Sequence, residues 1–110
     1  MTPRNVVACC ILLGALPVQA QTVVAPQLWD RPRSARAVLG EPAVRQSVQS
    51  YLAQPAARLV IRHGPSADAV LEAEELRSWL VALAVEPQRI TVLGELRAGA
   101  PLTIEAVLER

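Results

Sequence analysis

The sequence predicts an α/β fold, a two-layer sandwich in the order β-α-β-α-β-β, with both helices on one face of a small mixed sheet. Three observations lead there. Two segments carry apolar residues at helical spacing. Short aliphatic and β-branched runs alternate with them. The chain then closes on a stretch of strict polar–apolar alternation. Strands joined by helical crossovers imply right-handed βαβ units, and the last two strands are expected to form a hairpin.

The 110-residue chain opens with the three regions of a secretory leader. Arg4 supplies the positive charge, Val6 to Leu16 is almost wholly apolar, and Val18-Gln19-Ala20 offers small residues before a cut. Residues 1–20 are therefore expected to be a signal peptide, and 21–110 a single exported domain, periplasmic or secreted. The apolar stretch falls short of the ~20 residues a membrane span needs, so no span is expected after cleavage; retention as an anchor is the alternative. Both cysteines, Cys9 and Cys10, lie inside this segment, too early in it for a lipoprotein site. The domain that follows has no thiol, hence no disulfide.

The eleven basic residues are all arginine, and ten acidic residues oppose them. With Arg4 gone the charges balance, which argues against a nucleic-acid partner.

Within the domain, Gln21 to Asp30 begins extended, but Pro26 confines any strand there to a short or edge position. Arg31-Pro32-Arg33-Ser34 reads as a turn. Pro42 opens a helix to about Ala53, with Val44, Val48, Tyr51 and Leu52 on its apolar face. Arg58 to His63 is a strand, ended by Gly64-Pro65. Ser66 can cap a second helix that runs to about Leu83, with Asp68 in its first turn and Leu76, Trp79, Leu80 and Leu83 facing inward. Arg89 to Leu93 is the third strand. In the last, Leu102, Ile104, Ala106 and Leu108 alternate with Thr103, Glu105, Val107 and Glu109.

The helix Val48–Leu52, the strand Leu59–His63, the helix Leu76–Val81 and the loop into Arg89-Ile90 resemble OmpA-like C-terminal domains in spacing and residue class, over about residues 44–108. The resemblance implies a cell-envelope module that holds peptidoglycan. In that family an aspartate after the second strand and a helix arginine grip diaminopimelate, as a carboxylate and a bidentate guanidinium suit a zwitterion. This sequence departs from the pattern: His63-Gly64-Pro65 lacks the aspartate, the following loop is shorter, and Glu72 stands where the arginine is expected. Asp68 and Arg77 are a possible replacement pair, though about two and a half turns separate them on one helix.

The candidate ligand-binding residues are thus Trp29, His63, Asp68 and Arg77. Trp29 lies beside Arg31 and Arg33, so it either stacks on a sugar or peptide or packs on the sheet edge. Arg62-His63-Gly64 resembles the tripeptide of histidine phosphatases, but that chemistry needs a second histidine and the chain has one. One histidine and no domain cysteine leave no zinc set, and Glu72, Glu74 and Glu75 read as a solvated helix face with Glu74 paired to Arg77. No cofactor and no catalytic residue is expected. The expected function is an exported envelope binding or structural module that contacts peptidoglycan or an envelope protein. The alternatives are an accessory subunit of an envelope assembly without a small ligand, or a histidine-phosphatase-like enzyme.

Overall fold

The computed structural model describes residues 22–108; the leader expected at residues 1–20 lies outside the described residues. The fold is a small α/β sandwich. Its helices are α1 (Ala35–Leu39), α2 (Pro42–Ala53) and α3 (Ala67–Ala82), and its strands are β1 (Ala57–Arg62), β2 (Ile90–Leu93) and β3 (Thr103–Leu108). The sheet order is β2-β1-β3, with β1 parallel to β2 and antiparallel to β3.

Alternation along β1 sets the two layers. Leu59 and Ile61 point one way, beside Ile90 of β2 and Ile104 of β3, and all four are buried. Onto this face pack Val44, Val48 and Tyr51 of α2 and Ala73, Leu76 and Leu80 of α3. Both long helices therefore lie on one face, as the sequence predicts. The other face is polar. Arg62 reaches Glu95 at 2.8 Å and Glu105 at 2.6 Å, and Arg58 donates to the Gln88 carbonyl and the Thr91 hydroxyl.

Two strand expectations change. The first strand shrinks to one antiparallel bridge, Val23 to Thr103, at the outer edge of β3. Pro26 has no N–H to continue the ladder and instead starts a 3-10 turn over Pro26–Asp30, which buries Leu28. The last two strands do not form a hairpin, because β3 pairs with β1 on the side away from β2. β1 is the most buried of the three strands, and flanking it on both sides satisfies its backbone where water is excluded. The connection to β3 passes over the end of β1, where the Leu96 N–H donates to the His63 carbonyl. A Cβ on Gly64 would stand 2.9 Å from the Arg97 carbonyl oxygen, so only glycine fits beneath the crossing chain.

Helix boundaries follow local chemistry. Pro42 opens α2, whose side is buried at Val44, Ser47, Val48 and Tyr51, while Leu52 is 62% exposed. At about 100° per residue, positions 44, 47, 48 and 51 share an arc that 52 leaves. The Ser66 hydroxyl accepts the Ala69 N–H at 3.0 Å and caps α3. Trp79, expected in the core, is half-buried, with its Nε1 donating to Glu75. The helix closes with Val85 N–H bonded to the Leu80 carbonyl and Ala84 N–H to the Val81 carbonyl, the paired bonds of a Schellman cap. Ala84 occupies the left-handed position at φ 78°, where a Cβ is strained.

Two stability outcomes are expected in urea unfolding. Leu76→Ala removes a fully buried side chain beneath α3 and lowers stability by about 2–5 kcal/mol. Ala84→Gly relieves the left-handed cap and raises it by about 1 kcal/mol.

Candidate functional site

The carboxyl ends of the parallel strands are where an α/β sheet opens toward ligands. Here β1 leads through His63-Gly64-Pro65 into the capped first turn of α3. A half-enclosed groove of about 250 Å³ lies there, between that turn and the Gly99–Leu102 segment, with Pro26 at its side. Asp68 and Glu72, one turn apart on α3, are its charged lining residues, and no basic side chain lines it. The Glu72 carboxyl titrates above the ordinary range. Its partial burial is the main cause, the neighbouring charges of Asp68 and Asp30 add to it, and Arg33 opposes it.

A second recess, open and about 410 Å³ in volume, lies between Trp29–Arg33 and Glu75. Arg33 dominates it. The guanidinium donates to both Glu75 carboxylate oxygens, at 2.8 and 3.0 Å, and to the Trp29 and Arg31 carbonyls. It also lies 5.5 Å from the centre of the Trp29 ring. Glu75 accepts in addition from Trp79 Nε1 at 3.1 Å. The Arg33 hydrogen bond, acting with the one from Trp79, holds the Glu75 carboxyl below its ordinary range against a desolvation that acts the other way.

The four residues singled out from sequence are thus not brought together. Asp68 lines the groove, and Trp29 lines the other recess with Arg33 of its own chain over its ring. His63 lines neither. Its Nδ1–H donates to the Gly64 carbonyl at 2.7 Å, and its ring lies so close to Gly94 that a Cβ there would meet it at 2.9 Å. Arg77, farther along α3, lines neither recess either. Glu74 and Arg77, expected to pair along the helix, form no salt bridge with each other, and the ion pair on this helix runs from Glu75 to Arg33. Sequence reasoning misses that pair because 42 positions separate its members, and no local spacing reports such a contact. Among the described residues no cluster of three or more His, Cys, Asp or Glu is placed to hold a metal ion. No helix among them is long and apolar enough to cross a membrane.

No family model matches the chain, and neither a curated protein nor a solved structure proves similar to it.

The two glutamates are expected to act on stability with opposite sign. Glu72 binds its proton more tightly in the folded chain than in the unfolded one, so its ionisation opposes folding as pH rises through the folded value. Glu72→Gln should therefore raise the urea midpoint at neutral pH, with the gain vanishing well below the ordinary carboxyl value of 4.5. Glu75 is depressed, so its contribution is present above that value and lost as pH falls through the folded one. Glu75→Gln should lower the midpoint at neutral pH, with a difference that shrinks in acid.

Proposed function

We propose that the chain is an exported, non-catalytic binding module of the cell envelope, a reduced OmpA-like domain whose groove contacts a partner protein rather than a wall peptide. The sandwich, with both long helices on one face of a mixed sheet, supports the family comparison at the level of architecture. The reading of export rests on the leader pattern of residues 1–20.

One observation carries the choice of partner. At the carboxyl end of β1, where the family grips its ligand, the groove is lined by Asp68 and Glu72 and by no guanidinium. Two carboxylates in a half-enclosed groove repel the carboxylates of diaminopimelate and favour a cationic side chain. A protein segment carrying Arg or Lys meets that requirement. Against the phosphatase alternative, the chain has a single histidine, and no second one exists to protonate a leaving group.

Co-sedimentation with purified sacculi tests the reading. The chain should remain in the supernatant, while Glu72→Arg, which restores a guanidinium at the family's position, should gain retention. Wild-type protein that pellets with sacculi and is released by free diaminopimelate would overturn it.

A further inference from the structure

Helix α3 has two apolar sides and buries one of them. Ala73, Leu76 and Leu80 face the sheet. On the flank of the helix, about a quarter-turn from that face, Val70 and Val81 stand 39% and 38% exposed, with Glu74 and Arg77 between them, and Leu71, on the far side from the sheet, is 67% exposed. A crossover helix in a two-layer sandwich needs only one apolar stripe, and a flanking stripe of this kind implies a covering surface.

The order of residues on that flank says what covers it. Val70, Glu74, Arg77 and Val81 follow one another at steps of four, three and four, the alternation of a two-helix seam. The pattern is complementary to itself when reversed. Two copies of α3 laid antiparallel, about a two-fold axis between Glu75 and Leu76, bring Val70 against the partner's Val81 and Glu74 against the partner's Arg77. Each pair occurs twice, as an isologous contact requires. The arrangement puts apolar contacts at both ends and two opposite-charge pairs in the middle. It supplies Glu74 and Arg77 with the counter-charges they do not give each other within the chain.

We propose that this face is an interface between two copies of the chain, formed by antiparallel α3 helices with Glu74 and Arg77 in reciprocal pairs. The central charges fix register and orientation, because a parallel or slipped pairing sets a charge against valine or against its like. The helix has 16 residues and is about 24 Å long. One helix from each copy is a small interface, so the association is reversible, with a dissociation constant of roughly micromolar or weaker. It neither uses the acidic groove nor depends on the identity of the groove's partner.

Sedimentation equilibrium of the purified chain over a concentration series tests this. A monomer–dimer equilibrium is expected, weakened about tenfold or more by Glu74→Arg and by Arg77→Glu, each of which opposes like charges twice. The double variant Glu74→Arg/Arg77→Glu should recover the wild-type association, and Val81→Asp should abolish it. Circular dichroism of each variant should show the wild-type helix content, so that lost association is read from folded protein. A wild-type chain that stays monomeric to about millimolar concentration leaves this face to another protein and overturns the proposal. So does a charge swap that fails to restore what its single reversals remove.

Discussion

Strand β1 is the element on which everything else depends. Among the described residues it is the central strand of the sheet, parallel to β2 on one side and antiparallel to β3 on the other. Its inward pair, Leu59 and Ile61, is wholly buried beneath the two long helices. Its outward arginines tie the strands across the wet face, where Arg62 alone spans from Glu95 beyond β2 to Glu105 on β3. Those surface pairs are partly exposed and each contributes little, so most of the stabilisation comes from the apolar layer on the inner face. A small domain has one such layer, and a single side chain in it is a large share of total stability.

What the sequence discloses is what short-range chemistry decides. Pro42 and the stop at Gln54-Pro55 bound α2 within the chain itself, and Ser66 caps α3 as its position implies. Burial at Leu76 and Leu80 follows from a period of 3.6. The misses share a different cause. Which strand β3 chooses is a long-range decision between two apolar edges, and no local pattern records it. Helix α1 is five residues long, shorter than any window in which periodicity registers. In the candidate site, Asp68 is legible from its place in the first turn of a capped helix. The acidity of the groove is not, because it needs Pro26 and the Gly99–Leu102 segment folded against that turn.

The residues before α1 act as a strap over the helical layer. Val24 N–H bonds to the Leu102 carbonyl at the sheet edge, and Ala25 N–H bonds to the buried Glu41 carboxylate at the start of α2. Arg33 then closes the strap onto Glu75 of α3 with a two-pronged ion pair. These contacts reach the sheet, α2 and α3 in turn. A segment that reads from sequence as an interrupted strand and a turn therefore joins every layer of the domain.

The strap also links the two recesses. Pro26 lines the groove, and Trp29 to Arg33 line the open recess, so one short segment borders both. Its charges act across the boundary between them. Asp30 raises the Glu72 carboxyl and Arg33 lowers it, so part of the balance at the groove is set by residues that do not line it. Arg33 cannot neutralise Glu72 fully while its guanidinium is committed to Glu75 and to the Trp29 and Arg31 carbonyls. The geometry that anchors the strap thus leaves negative charge at the mouth of α3. Burial and like charge make that negative charge costly in the free protein, and a cationic group placed in the groove would relieve the cost.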